Sequence, residues 1–209
     1  MANHSTLSLE EKASPAHTAL LVIDIQVDFC APSGRRGQTG GDLSMMEPMI
    51  DRLLPFVEVA ENAGVLTLYT QQIYDRKRLN DLQKEQYDLD GKMVLVDIAT
   101  DGYKLYRVDP SPQKVFPKYN YNAFSNPDLV ATLARHGIKT LVITGVDTFY
   151  CVETAIRNGY DLGYKIVVPE DLVACNAKHL GLHENTLKLV RKSYGIVTSA
   201  ARLAGIWQA

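Results

Sequence analysis

The chain has 209 residues, 46% hydrophobic and 22% charged, with a formal net charge of −2 at pH 7. That length suits one domain with a substantial core, and the charge balance provides no concentrated basic surface for nucleic acid or an anionic membrane. No apolar run reaches the roughly 18–20 residues needed to span a bilayer.

Residues 1–17 (MANHSTLSLEEKASPAH) are polar and lack the apolar core of a signal peptide, which predicts a solvated tail ahead of a single cytoplasmic domain over 18–209. Residues 19–25 (ALLVIDI) form a continuous apolar run ending in acid, as expected of a strand covered on both faces. Residues 42–63 carry Leu43, Met46, Met49, Ile50, Leu53 and Leu54 at helical spacing, and Gly64 stops them. Residues 65–70 read as the next strand. From 71 to about 106 the pattern is irregular and charged, which predicts a helical turn or two and loops able to cover a site. Residues 114–118 (KVFPK) form a short strand broken by Pro117. Asn126 and Pro127 then open a helix as N-cap and first residue, running to His136 and ending at Gly137. Residues 140–145 are a buried strand, 151–162 a helix, 165–169 a strand, 179–192 a helix and 195–198 a last edge strand.

This alternation predicts an α/β fold, a three-layer α/β/α sandwich with a mostly parallel central sheet. Such sheets bind ligands beyond the carboxyl ends of their strands, at a switch in strand order. Asp24, Gln71, Lys118 and the segment 145–151 all fall at or just after such ends. An acid, an amide, a base and a thiol are thereby offered to one crevice.

Three cysteines, Cys30, Cys151 and Cys175, with no CxxC pair, point to free thiols rather than a disulfide framework or a structural zinc. Cys151 sits where a buried strand meets a helix, and a helix N-terminus can both activate a thiol and receive an oxyanion. An inert buried thiol is the alternative. Asp24 is either a base for that thiol or a strand-end acid that caps a loop or pairs with an arginine. Lys118 either stabilises developing charge or is a solvated lysine.

Taken together, these residues are more telling. LLVIDIQVDFC, KVFPKYNYNAF and VITGVDTFYCVETAIRNGYDLGYKIVVPEDLVAC resemble, in kind and order, the acid, lysine and nucleophile motifs of the isochorismatase-like cysteine hydrolases. The resemblance spans residues 18–199. It implies Asp24 as general base, Lys118 as the stabilising cation and Cys151 as nucleophile. It also implies a cis peptide at Val146-Asp147, with the backbone N–H groups of Asp147 and Cys151 as oxyanion hole. Many relatives have a small residue where Asp147 stands, so its carboxylate either points away or meets a polar substrate. Relatives commonly form dimers or tetramers, and the apolar segment 200–207 could serve such a homo-oligomer interface.

The same resemblance bears on the substrate. Nicotinamidases of the superfamily carry an Asp-x-His metal site after the second strand. Here that region (69–75, YTQQIYD) has no histidine, so no metal is expected, and the implied thiol chemistry calls for no other cofactor. Cys151 argues against the isochorismatases proper, which act without it. The closer resemblance is to ureidoacrylate, biuret and triuret amidohydrolases, which implies cleavage of a C–N bond in a small ureido or amide compound. Gln71, Tyr121 and Asn122 supply hydrogen-bonding types for such a group, and Phe29, Phe149 and Tyr150 could wall a planar substrate or simply pack. Arg35 and Arg36 could meet a substrate carboxylate or belong to a solvated loop. The alternatives are a nicotinamidase, an N-carbamoyl amino acid amidohydrolase, or a silent interaction domain of the same fold. A Rossmann-like nucleotide binder would need a Gly-rich loop after the first strand, and residues 26–30 (QVDFC) are not one.

Overall fold

The computed structural model describes residues 8–89, 91 and 93–209. Seven strands among them pair in parallel into one sheet: β1 (Thr18–Ile23), β2 (Leu66–Gln72), β3 (Val115–Lys118), β4 (Thr140–Val146), β5 (Lys165–Pro169), β6 (Val173–Ala174) and β7 (Gly195–Thr198). The order is β3-β2-β1-β4-β5-β7, with β6 pairing on β4. The chain therefore builds outward from β1 to β3, then returns to place β4 on the other side of β1. That return is the switch point, and β1 and β4 flank it.

Helices cover both faces. The helical segments are α1 (Leu9–Lys12), α2 (Val27–Cys30), α3 (Arg35–Gln38), α4 (Met46–Asn62), α5 (Asp81–Leu89), α6 (Pro127–Arg135), α7 (Glu153–Asp161), α8 (Leu180–Leu189) and α9 (Ala200–Trp207), joined by shorter turns. Side chains alternate along β1. Leu20 and Val22 join Met46, Met49, Ile50, Leu53 and Phe56 of α4 and Leu203 of α9 in one core, while Ala19, Leu21 and Ile23 join Leu129, Leu133, Ile156 and Leu187 in the other. The result is the three-layer sandwich that the alternation of elements predicts.

Local chemistry sets the boundaries. Asn126 accepts hydrogen bonds from the N–H groups of Asp128 and Leu129, and Pro127 opens α6 as expected. The helix expected from 42 begins only at Met46, because the Asp42 carboxylate accepts from Ser44 N–H and draws the preceding residues into a turn. Pro117 is tolerated because β3 lies at the sheet edge. β2 runs on through Gln71 and Gln72, which pair with Pro117 and Lys118 of β3. Gly145 has φ +106, and a side chain there would strike the Ile23 carbonyl of β1. Its missing Cβ lets the two central strands close up beneath the site.

Both ends of the described chain are packed. From Ser8 onward the expected tail folds back: Ser8 and Glu11 form a capping box, and Leu9 and Ala13 enter the core. Residues 1–7 of that tail lie outside the described residues. The apolar segment proposed as an interface is α9, whose Leu203 and Trp207 are buried in this chain's own core. Trp207 packs on Phe56 at 5.0 Å between ring centroids and donates from Nε1 to the Ala13 carbonyl at 2.8 Å. Its apolar stripe is thus used within the chain. Among the described residues no helix is long and apolar enough to cross a membrane.

Trp207→Ala should cost about 3–5 kcal/mol, the range for removing a large buried aromatic, read as a lower urea midpoint. A loss under about 1 kcal/mol would mean that α9 does not seal this face.

Candidate active site

Four strand ends meet at the switch point. Asp24 follows β1 directly, in the left-handed region at φ 52, a conformation that a short acidic side chain tolerates better than most. The turn aims its carboxylate across the ends of β2 and β4. Oδ1 accepts from Thr70 Oγ1 at 2.7 Å, and Oδ2 lies 2.8 Å from Lys118 Nζ. Both charged side chains are fully buried. Such a pair persists only when each charge has the other, since an isolated ion here costs several kcal/mol.

Lys118 closes β3 and reaches under β2. Its ammonium donates to Gln72 Oε1 at 3.1 Å, to the Asn120 carbonyl at 3.0 Å and to Cys151 Sγ at 3.3 Å. Four acceptors compete for three N–H groups, and Asp24 Oδ2 lies off the direction of a well-formed hydrogen bond. Among the described residues that oxygen has no well-aligned hydrogen-bond donor. Burial works against the charge on Lys118, but attraction to Asp24 and to the Cys151 sulfur outweighs it and holds the ammonium above its ordinary range.

Cys151 follows β4 in a turn over Thr148–Val152, wider than an α-helix, and α7 begins only at Glu153. The helix expected from 151 thus starts two residues later, because the Asp147 carbonyl accepts from both Tyr150 N–H and Val152 N–H. The peptide between Val146 and Asp147 is cis, at the place the resemblance implied. Sγ lies 3.0 Å from Gln72 Oε1, to which the thiol donates. Burial pushes this thiol well above the usual range; Lys118 pulls it down and Asp24 pushes it further up. Burial thus favours the protonated thiol.

The other two thiols lie elsewhere. Burial pushes Cys30 up to about 12 and Cys175 up to about 11. Neither borders the cleft that exposes Cys151.

That cleft has a volume of about 210 Å³ and is lined by Phe29, Arg36, Gln72, Tyr87, Met93, Leu95, Tyr121, Asp147, Tyr150 and Cys151. Phe29, Tyr121 and Tyr150 all line it, with Tyr121 stacked on Tyr150 at 5.5 Å. Phe149 lines the adjoining pocket instead, with His179 at its edge. Asn122 is spent on structure: it caps the turn Ala123–Ser125 and donates from Nδ2 to Asn158 at 3.1 Å. Tyr87, Met93 and Leu95 come from the irregular region 71–106, which does cover the site.

Gln71 does not reach the thiol. Its Nε2 donates to the Tyr103 carbonyl at 3.0 Å, on the opposite side of β2. Successive residues of a strand face opposite ways, so Gln72 and Thr70 face the cluster and Gln71 cannot. Of the two readings of Arg36, the solvated loop is excluded. Arg36 is buried and grips Asp147 with both ends of its guanidinium, Nη1 to Oδ1 at 2.9 Å and Nη2 to Oδ2 at 2.6 Å. Burial raises Asp147 above the usual carboxylate range against the pull of Arg36. The Asp147 carboxylate faces Arg36, and both side chains line the cleft.

Residues 18–202 match the family model described as Isochorismatase domain. The chain belongs to the isochorismatase family and is a hydrolase of that family. It is 32% identical to the ureidoacrylate amidohydrolase RutB of Klebsiella pneumoniae subsp. pneumoniae, with 76% of this chain and 73% of that protein covered. Identity to the RutB of an Enterobacter species is 31%, covering 76% and 75%. A cysteine hydrolase from Pseudomonas syringae pv. phaseolicola shares the fold, with TM-score 0.75, 22% identity and 93% of each chain covered. So does a nicotinamidase from Bacillus subtilis, with TM-score 0.71, 24% identity, and 88% of this chain and 99% of that one covered.

One polar residue near the turn has no signal in the motifs. His183 of α8 is buried with Nδ1 2.8 Å from Thr148 Oγ1, which itself donates to the Ala174 carbonyl at 3.0 Å. Thr148 spends its only proton on that carbonyl, so Nδ1 carries the hydrogen. Burial lowers His183 below the ordinary histidine value. The unfolded chain then takes up this proton first as pH falls. Stability should hold above pH about 6.5 and drop as pH falls through the folded value. Urea midpoints between pH 7.5 and 5 test this, and His183→Gln should flatten that part of the slope. An unchanged slope would remove His183 as its source.

Proposed function

We propose that the protein is a cysteine amidohydrolase that cleaves a C–N bond of a small ureido or amide compound of ureidoacrylate, biuret or triuret type. The observation that carries this reading is the convergence of Asp24, Lys118 and Cys151, buried together at the strand ends with Cys151 lining a cleft. Similarity to ureidoacrylate amidohydrolases supports the ureido class.

The chemistry follows from where the protons sit. A thiol is a poor nucleophile, so the Cys151 proton must leave as sulfur attacks the carbonyl, and Asp24 takes it. Lys118 offsets the negative charge that then lies between sulfur and carboxylate. The tetrahedral oxyanion is held by the backbone N–H groups of Asp147 and Cys151. Protonated Asp24 hands its proton to the leaving nitrogen, the C–N bond breaks, and the acyl group remains on Cys151. Water, deprotonated by the same carboxylate, attacks that thioester, and the sulfur leaves and recovers its proton. Gln72 keeps the thiol and the ammonium aligned throughout.

Ammonia release from ureidoacrylate, biuret, triuret, N-carbamoyl amino acids, nicotinamide and aliphatic amides tests this directly. Turnover of a ureido compound is expected, with Cys151→Ala at background while its fold is kept. Asp24→Asn should lose about 10²–10⁴-fold in rate, the usual worth of a general base. Retention of most activity in Cys151→Ala would remove the thiol from the mechanism. Turnover should also survive EDTA, because the region after β2 lacks the histidine that a metal site of the nicotinamidase type needs.

A further inference from the structure

The Arg36–Asp147 pair stands in the wall of the cleft that exposes Cys151. Among the described residues lining that cleft, Arg36 is the only cation and Asp147 the only anion. The two are joined by two parallel hydrogen bonds, the strongest geometry available to a guanidinium and a carboxylate. Arg36 is further fixed by donating to the Phe29 carbonyl at 3.3 Å and by lying over the Phe29 ring, 5.1 Å from its centroid. Its position is thus set from two sides, by the loop after β1 and by the turn after β4. Lys178 and His179 lie in the adjoining pocket, with Lys178 Nζ donating to the Gly40 carbonyl at 2.7 Å.

A substrate end that met Arg36 alone would meet a desolvated positive charge suited to a carboxylate. With Asp147 in place that charge is matched, and a second carboxylate would face Asp147 at close range in a poorly screened site. A neutral ureido or carboxamide end fits better. It carries both N–H donors and a carbonyl acceptor, and the pair presents both carboxylate lone pairs and guanidinium N–H groups. We propose that the Arg36–Asp147 pair reads the far end of the substrate and selects a neutral amide or ureido terminus over a carboxylate. Within the ureido class, biuret-like compounds are then preferred to acids such as ureidoacrylate. This selection rests on the hydrolase reading for its place beside Cys151.

The test uses two compounds that differ only at that end, N-carbamoylglycinamide and N-carbamoylglycine. Binding is measured by calorimetry or ligand-observed NMR on the Cys151→Ala protein, so the result does not depend on turnover. The amide is expected to bind at least tenfold more tightly than the acid. Adding Asp147→Asn unmasks Arg36 and should reverse the order. Removing one partner of a buried pair can prevent folding, so the neutral double substitution Arg36→Gln with Asp147→Asn is made as well. It should discriminate less than threefold. Equal or tighter binding of the acid, no binding of either compound, or an order that neither variant moves would overturn the proposal. Failure of the hydrolase reading would show separately, as absent turnover in the ammonia assay while the binding order stands.

Discussion

Two fully buried charges and a buried thiol, brought together at one end of the sheet, are the constraint around which the rest of the molecule is arranged. Asp24 and Lys118 are fully buried and 2.8 Å apart, and Sγ of Cys151 lies 3.3 Å from the same ammonium. Neither charge could be left there alone. The sheet meets this demand by parallel pairing, which gathers strand carboxyl ends on one edge. β1 contributes the acid, β2 Thr70 and Gln72, β3 the lysine and β4 the thiol. The order β3-β2-β1-β4 is needed for Lys118 to pass beneath Gln72 and arrive between Asp24 and Cys151.

The cleft above this cluster is built from segments that the sheet does not constrain. Phe29 and Arg36 come from the loop after β1, Tyr87 from α5, Met93 and Leu95 from the irregular segment beyond it, and Tyr121 from the loop after β3. The covering segment is tied down near its end, where Asp28 Oδ2 accepts from Val96 N–H at 2.7 Å. The Asp24–Lys118 pair thus lies buried beneath the cleft, whose own lining is aromatic, apolar and polar with one charged pair, Arg36 and Asp147. Cluster and lining meet at Asp147, whose backbone belongs to the turn before Cys151 and whose carboxylate belongs to the lining.

Much of this was legible along the chain, for identifiable reasons. Asp24, Lys118 and Cys151 stand at strand ends that hydrophobic runs locate, and those ends converge in any parallel sheet. Gln72 escaped because β2 is two residues longer than its apolar run. The apparent strand end at Thr70 directed attention to Gln71, whose side chain points the other way. The burial of Arg36 and its pairing with Asp147 escaped for a different reason: an arginine in a polar loop carries no mark of burial, and its partner lies 111 residues away. Likewise, the apolar run of α9 marked a surface to be covered without saying whether another copy or this chain would cover it.

What the sequence by itself determined is the layering, the strand ends and the chemical types delivered to them. Hydrophobic period and turn chemistry are local, and local patterns specify elements. Only the tertiary structure decided which side chains touch: that Gln72 rather than Gln71 holds the thiol, that Asp147 is matched by Arg36, and that α9 closes on Phe56. Each of these depends on the relative placement of segments far apart in the chain. That placement is set by packing two cores against one sheet, a property of the whole chain that no single stretch encodes.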